Sequence, residues 1–285
     1  MKNTTFFRKL NAVYVKVKCL ALPLWWRVKH VQHTSSTHSL PGTLIVSLTS
    51  YSARFRYLTP TLKSLLSQSI KPDKVILFVS KQDYASLPKS VLKLQDHGLE
   101  IETCVDIGSY TKIIPALKRY PGTFIATADD DIIYGEKWLE AMALAYSEPK
   151  EIVFHRGHFI TVDGSNTLPP YSKWNMGGAK CIKSKLNFPT GVGGVLYPPR
   201  VFDQRVLDEE MFLRIAPTAD DLWLFWMARL GGAQFRRVSA DANPLIKNLK
   251  AQETGLSNLN NGPDDLNTKQ IRQLESEYGS PIEAP

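Results

Sequence analysis

The chain has 285 residues, of which 43% are apolar and 22% charged, so wholesale disorder and fibrous architectures are excluded. Its net charge of +8 is distributed unevenly along the chain, because eleven Lys and Arg precede the first acidic residue, Asp73. The rest of the chain has 24 Lys and Arg against 27 Asp and Glu. A protein that binds nucleic acid usually spreads positive charge along its binding face, so we expect no nucleic-acid partner.

Residues 1–42 form a predicted basic, aromatic segment that ends in a Ser- and Thr-rich linker. The longest uncharged stretch of residues 1–30, Cys19 to Trp26, has eight residues and contains Pro23, so it is too short to span a bilayer. Basic residues interleaved with aromatic ones predict a helix that lies on an anionic membrane surface or docks on the protein's own core. Three widely separated cysteines without zinc-site spacing fit a reducing compartment. The expected location is therefore cytoplasmic, and the membrane-binding alternative adds peripheral attachment at the inner face of a membrane.

Short β-rich runs alternate with helical periods from residue 43 onward, which predicts parallel strands joined by right-handed crossovers. The predicted strands cover residues 44–48, 74–79, 99–104 and 123–128. The predicted helices cover residues 59–68, 89–94 and 112–120, and the first of them takes Thr59 as its cap and Pro60 as its first residue. The predicted fold class is therefore α/β, with residues 43–135 as a Rossmann-like first half.

Residues 136–250 form the predicted second half, which is less regular. Helical spacing over residues 138–146 and 220–230 and a β-rich run over residues 151–160 are separated by a Gly- and Pro-dense stretch. Residues 251–285 are predicted to be a polar tail that ends in a short helix.

Three adjacent carboxylates, Asp129, Asp130 and Asp131, follow the predicted strand at residues 123–128. Ligands bind at this carboxyl edge of open parallel sheets. Adjacent carboxylates repel one another, which favours a divalent cation, and Mg²⁺ or Mn²⁺ combines one or two carboxylates with phosphate oxygens. The cluster therefore predicts a metal together with a phosphorylated ligand. The alternative is a solvated acidic turn before the next helix.

This arrangement resembles the GT-A glycosyltransferases, in particular the family 2-like group of bacterial enzymes that build surface polysaccharides. The likeness rests on the strand-end acidic cluster and on the segments at residues 45–54, 62–68 and 72–77, which are similar to the first βαβ unit of that family. The resemblance implies a GT-A (Rossmann-like) mixed sheet flanked by helices in a single main domain. It also implies that residues 43–135 bind a nucleotide-sugar and that residues 136–250 bind the acceptor and carry out catalysis.

The resemblance also implies roles for individual residues. Donor-binding roles fall on the following side chains: Thr49, Ser50, Tyr51, Arg54, Asp106, Lys112, Asp129 and Asp130. The implied metal ligands are Asp131 and Asp129. The catalytic base falls to Asp221, with Asp220 as its neighbour, because Asp220-Asp221 matches the family's later acidic motif at the start of a helix. A capping box from Thr218 to Asp221 is the alternative, and it would leave Asp220 as the freer carboxylate.

Four further segments carry alternatives that the sequence leaves open. The resemblance implies that the Gly191–Gly194 loop lets the donor sugar approach the backbone, and the alternative is a plain turn or a strand with a bulge. Trp174 either stacks on a sugar or fills a local core. His155 and His158 are three apart on a predicted strand and should not converge on a metal. Residues 260–265 form either a lid over the donor or a polar turn.

The function that these features and the resemblance favour is metal-dependent transfer of a sugar from a nucleoside diphosphate sugar, with a UDP-sugar as the expected donor, to a glycan or lipid-linked glycan hydroxyl. The enzymatic alternative is a nucleotidyltransferase, although no Gly-rich phosphate loop follows the first predicted strand. The non-enzymatic alternative is a glycan-binding protein that has kept the fold without the chemistry.

Overall fold

The computed structural model describes residues 21–162, 167–239, 246–247, 260 and 264–283. The strands are β1 Leu44–Thr49, β2 Lys74–Ser80, β3 Leu99–Cys104, β4 Phe124–Ala128, β5 Ile132–Ile133, β6 Glu151–Phe154, β7 Gly157–Phe159, β8 Asn187–Pro189, β9 Val195–Tyr197, β10 Gln234–Arg237 and β11 Ile246–Lys247. The helices are α1 at residues 21–28, α2 Phe55–Leu66, α3 Lys81–Tyr84, α4 Lys89–Leu92, α5 Ile114–Arg119, α6 Trp138–Ala145, α7 Glu209–Ile215, α8 Asp220–Leu230 and α9 Leu266–Tyr278.

Seven strands form the main sheet, in the order β10-β6-β9-β4-β1-β2-β3. Strand β9 pairs antiparallel with β4 and β6, whereas the other neighbouring strands pair in parallel. The near-continuous apolar sequences of β1 and β2 fit strands that are covered on both faces. The expected fold class, an α/β fold with a Rossmann-like mixed sheet flanked by helices, is confirmed.

The two faces of the sheet are covered by different helices. Alternate residues of β1 point to opposite sides, so Leu44, Val46 and Leu48 join the core beneath α2, α4 and α6, whereas Ile45 packs with Ala116 of α5. Helix α8 is buried along nearly its whole length, which explains its uniformly apolar sequence. Because α8 is held in the core, its first turn has a fixed position at the edge of the sheet.

The prediction that the first crossover helix begins at Thr59 and Pro60 is wrong, because α2 begins at Phe55 and contains Pro60 in its interior. Proline has no N–H, so the carbonyl of Arg56 loses its helical donor. Arg27 replaces that donor, since its Nη2 lies 3.1 Å from the Arg56 carbonyl oxygen. A side chain 29 residues away in sequence therefore stabilises the longer helix.

The predicted strand over residues 151–160 is also wrong as a single element, because it divides into β6 and β7. Strand β7 leaves the main sheet and pairs with β8. The break requires Gly157, since a Cβ there would lie 2.3 Å from the carbonyl oxygen of Phe188. Strands β9 and β10 were not predicted, because segments of three and four residues give too short a pattern.

The N-terminal segment is described in part. Residues 1–20 lie outside the described residues, and α1 contains the described portion of the predicted helix. Within the described part of the chain, no helix combines the length and apolarity needed to cross a bilayer. The predicted boundaries at residues 42, 135 and 250 stay predictions.

Candidate active site

A cavity of about 720 Å³ opens where the carboxyl ends of the parallel strands meet the loop that leads into β9. This volume lies within the range of about 300 to 1,000 Å³ that is typical of small-molecule sites. Every side chain predicted above to contact donor, metal or acceptor lines it: Thr49, Ser50, Tyr51, Arg54, Asp106, Lys112, Asp129, Asp130, Asp131, Asp220 and Asp221. The structure brings these residues together, and their individual roles stay predictions.

Arg54 compensates the charge of two residues of the acidic cluster. Its Nη2 lies 3.1 Å from Asp130 Oδ1 and 2.7 Å from Asp131 Oδ2. Ser50 Oγ donates to Asp130 Oδ2 at 2.6 Å. Burial raises the pKa of Asp130 to about 6, and the attraction of Arg54 and the bond from Ser50 limit the rise. The cluster is therefore partly neutralised by the protein itself.

Lys112 connects the acidic cluster to the first turn of α8. Its Nζ lies 2.9 Å from Asp220 Oδ2 and 3.5 Å from Asp129 Oδ1. Burial acts to lower the pKa of Lys112, but the attraction of Asp220, Asp129 and Asp221 outweighs it and holds that pKa well above its ordinary value. Lys112 is therefore a fixed positive charge between the two predicted halves of the site.

Asp221 is half-buried beside this pair, and its Oδ1 accepts a hydrogen bond of 2.9 Å from the backbone N–H of Gly191. Burial, followed by repulsion from Asp220, raises the pKa of Asp221 to about 7, against the attraction of Lys112. A carboxylate with this pKa can exchange a proton near neutral pH, as a general base requires.

The alternative in which Asp221 caps α8 is not observed. The cap residue is Ala219, which offers no side-chain bond, and the Thr218 N–H donates to Gln270 Oε1 at 3.2 Å instead. Both carboxylates at the start of α8 therefore line the cavity, and neither caps the helix.

Gly191 leaves space for the two charged groups beside it. A Cβ at this position would lie 2.7 Å from Lys112 Nζ and 3.0 Å from Asp221 Oδ1. In the same loop, Gly194 has φ +95°, and a Cβ there would lie 2.4 Å from the Trp138 ring. Gly191 therefore lies against charged groups of the site and Gly194 against the buried Trp138 ring, and the approach of a donor sugar to this loop stays a prediction.

We expect the Gly191→Ala substitution to lower the rate of the reaction catalysed in this cavity by at least about tenfold, because the new methyl group displaces Lys112 or Asp221 from its position. Gly42→Ala is the matched control, since a Cβ there approaches no atom closer than 3.6 Å, the Cε2 of Phe124. Initial rates of the two purified variants check the prediction. Equal loss in both variants, or full activity in Gly191→Ala, would contradict it.

Local hydrogen bonds hold the acidic cluster in place, and the sequence did not reveal them. The Asp129 N–H donates to the Tyr134 hydroxyl at 2.7 Å, and Thr61 Oγ1 donates to the Asp130 carbonyl at 2.9 Å. Tyr134 is itself positioned by Ser64, whose Oγ accepts from its N–H at 3.1 Å. A tyrosine five residues after Asp129 was the available signal, but its partners on α2 could not be identified without the fold.

Two predicted donor-side residues also bond nearby backbone. Thr49 Oγ1 donates to the Phe78 carbonyl at 2.9 Å, and Asp106 Oδ1 accepts from the Gly108 N–H at 2.9 Å. Tyr51, in contrast, is 39% exposed at the rim. The first two residues therefore shape the wall, whereas Tyr51 presents an aromatic ring at the entrance.

Aromatic rings from the second half of the chain form another wall of the cavity. Tyr171, Phe188 and His158 line the cavity, and the His158 ring lies 5.6 Å from that of Tyr171. Burial, with a smaller effect of Arg156, lowers the pKa of His158 to about 4, so this imidazole is neutral at physiological pH. Trp174 is buried and packs on Phe188, which excludes the sugar-stacking alternative for Trp174 in this structure.

The remaining segments have the following positions. His155 Nε2 bonds the Trp138 carbonyl at 2.9 Å, away from the cavity-lining His158, so the two histidines do not converge. Asn260 lines the cavity, and its Nδ2 donates to the Thr218 carbonyl at 2.7 Å. Residues 261–263 lie outside the described residues, so the choice between lid and polar turn stays open.

No family model matches the chain, and no curated protein matches it in sequence. Among solved structures, it is similar to S. aureus TarS in complex with UDP, at 17% identity and a TM-score of 0.45 over 70% of this chain and 59% of that chain. It is similar to the mannosyltransferase PcManGT from Pyrobaculum calidifontis in complex with GDP-Man and Mn²⁺, at 13% identity and a TM-score of 0.33 over 50% and 46%. The inositol-1-phosphate CTP transferase from T. maritima matches at 12% identity and a TM-score of 0.41 over 84% and 98%. The chain thus spans less than two thirds of the length of the TarS and PcManGT chains. All three similarities concern the fold alone.

Proposed function

We propose that this chain transfers a sugar from a nucleoside diphosphate sugar, a UDP-sugar in the simplest case, to a hydroxyl of a glycan or lipid-linked glycan. The observation that carries the proposal is the bridge made by Lys112, which joins Asp129 at the end of β4 to Asp220 at the start of α8. Donor-side and acceptor-side carboxylates thus share one cavity with a buried cation and with Asp221, whose pKa is near neutral.

In this proposal Asp221 removes the proton from the acceptor hydroxyl. The hydroxyl oxygen forms a bond to the anomeric carbon of the donor sugar, and the bond from that carbon to the diphosphate oxygen breaks, with its electron pair leaving on the diphosphate. Lys112 lies between Asp221 and the donor carboxylates, where a positive charge stabilises a diphosphate leaving group. Gly191 orients the base through its N–H.

The residues that would hold Mn²⁺ or Mg²⁺ are Asp131 and Asp129. Within the described ranges, no group of three or more His, Cys, Asp or Glu side chains is arranged to hold a metal. The two aspartates still fit a hard divalent cation that takes one or two carboxylates and completes its shell with substrate phosphate and water. When bound, such an ion acts as a Lewis acid on the diphosphate.

We therefore expect the metal to bind only together with the nucleotide. Asp131 is paired with Arg54 and Asp129 with Lys112, so the protein alone offers few ligands and a competing cation at each. Titration calorimetry should show negligible heat for Mn²⁺ alone and clear binding for Mn²⁺ in the presence of UDP. Tight binding of Mn²⁺ to the protein without nucleotide would contradict this ligand set.

A screen of nucleoside diphosphate sugars with Mn²⁺ tests the proposed reaction, because the products separate it from its two alternatives. A glycosyltransferase slowly releases nucleoside diphosphate and free sugar in the absence of acceptor. A nucleotidyltransferase instead forms pyrophosphate from a nucleoside triphosphate and a sugar phosphate, and a glycan-binding protein turns over neither. Pyrophosphate formation, or no turnover of any donor, would refute the proposal.

A further inference from the structure

Helix α1 has two different faces. Leu22 and Trp26 are four residues apart and point inward, and Trp26 is 7% exposed and packs on Ile133. Leu24 and Val28 lie on the opposite side and are 61% and 76% exposed, and Trp25 lies on the flank next to them and is 49% exposed. These three residues are defined here as the outer face of α1. The helix therefore docks on the protein's core through one side and presents apolar side chains on the other.

Two basic side chains, Arg27 of α1 itself and Lys63 of α2, fix α1 in this orientation. Arg27 Nη2 donates to the Arg56 carbonyl that Pro60 leaves without a helical donor. Lys63 Nζ donates to the carbonyls of Arg27 at 2.7 Å and Lys29 at 2.8 Å, which satisfies carbonyl groups at the end of the helix. The outer face is thus a fixed surface of the protein.

The surroundings of the outer face are basic. Arg27 and Arg56 are exposed, and Lys29 Nζ lies 4.6 Å from the centre of the Trp25 ring. In sequence, no acidic residue occurs before Asp73, whereas eleven Lys and Arg do. Exposed apolar side chains that include tryptophan, with Lys and Arg around them, are the composition that binds the interface of an anionic lipid bilayer.

We propose that the outer face of α1 inserts into the headgroup region of an anionic lipid bilayer, while Arg27, Lys29 and Arg56 contact lipid phosphates. Because Trp26 packs on Ile133, two residues after Asp131, the lipid contact lies next to the element that carries the acidic cluster. If the acceptor is lipid-linked, which rests on the proposed function, this position brings the acceptor to the side of the protein that holds the donor.

Co-sedimentation of the full chain with vesicles tests the proposal. The wild type should bind vesicles of phosphatidylcholine mixed with phosphatidylglycerol, bind neutral phosphatidylcholine vesicles weakly, and lose binding as salt rises. The Leu24→Glu, Trp25→Glu, Val28→Glu triple variant should bind the anionic vesicles at least about tenfold more weakly, since it removes the apolar area that is buried in lipid. The control is Leu144→Glu with Ile182→Glu, two residues that are comparably exposed elsewhere and whose replacement should leave binding unchanged.

Three results would overturn the proposal. If the triple variant binds vesicles like the wild type, the outer face is not the lipid contact. If wild-type binding does not weaken with salt, or is equally strong on neutral and anionic vesicles, the protein does not recognise an anionic surface. A wild type that is dimeric without vesicles, beside a monomeric triple variant, would show that a second copy covers this face. The assay contains no sugar nucleotide, so its failure leaves the proposed reaction untouched, and failure of the donor screen leaves the vesicle result untouched.

Discussion

The Asp221→Asn substitution is expected to lower the rate of sugar transfer by about 10²- to 10⁴-fold, which is the usual contribution of a general base. Asparagine preserves the size of the side chain and can still accept the bond from the Gly191 N–H, but it cannot take a proton from the acceptor. Donor binding should change little, because the donor-side carboxylates and Lys112 are untouched. Steady-state kinetics should therefore show a loss in kcat with little change in donor KM.

The pH dependence of the same variant separates catalysis from folding. In the wild type, kcat/KM should rise as pH increases through about 7, since Asp221 must be ionised to act, and this limb should disappear in Asp221→Asn. The raised pKa also means that the folded protein binds this proton more tightly than the unfolded chain. The stability that the proton contributes is complete below pH 3.8 and is lost as pH rises to about 7.

Above pH 7, Asp221→Asn should therefore be more stable than the wild type although it is nearly inactive, because it removes a half-buried carboxylate that Asp220 repels. Thermal melts at pH 8 measure this difference. Glu210→Gln is the control, since Glu210 is an exposed carboxylate in the first turn of α7. An inactive Asp221→Asn that melts below the wild type would indicate a structural role for Asp221.

Replacing Lys112 by methionine is expected to destabilise the fold by about 3 to 5 kcal/mol, the usual cost of removing one partner from a buried ion pair. Methionine fills similar space, but it leaves Asp220 and Asp129 without their nearest cation. The free energy of unfolding in urea measures the loss. Activity should be abolished as well, because the positive charge beside the leaving diphosphate is gone.

Lys118→Met provides the comparison. Lys118 lies six residues further along the chain and pairs with Glu209 at 3.4 Å, but both side chains are more than 40% exposed. An exposed pair contributes at most about 1 kcal/mol, so this variant should unfold nearly like the wild type and keep its activity. Similar destabilisation of the two variants would show that the Lys112 bridge is not a buried ion pair in solution.

The sequence predicts the strand-end part of the site because its signals are local. Asp129, Asp130 and Asp131 directly follow a buried strand, and the carboxyl edge of a parallel sheet fixes where they lie. The alternation of strand and helix likewise predicts the four parallel strands of the first half. In the second half, β9 runs antiparallel inside a Gly- and Pro-dense stretch, and three residues carry no recognisable period.

What the sequence could not predict is which residues become neighbours. The metal was inferred from carboxylates crowded without a counter-ion, yet Arg54 lies 76 residues before Asp130 in the chain and is in contact with it. Pro60 indicated a helix start because its missing N–H normally leaves a carbonyl unpaired inside a helix. The donor that pairs with that carbonyl is Arg27, which is too far away in the sequence to be part of a local pattern. The predicted roles of the site residues, the domain boundaries and the cellular location stay predictions.

The most direct test of the account compares Asp131→Asn and Asp221→Asn in the same two assays, metal-dependent binding of UDP and transfer from a donor that the screen identifies. We expect Asp131→Asn to lose both, because it removes a proposed metal ligand, whereas Asp221→Asn keeps binding and loses transfer. Transfer at the wild-type rate by Asp131→Asn, or loss of UDP binding by Asp221→Asn, would contradict the division of labour between the strand-end cluster and the first turn of α8.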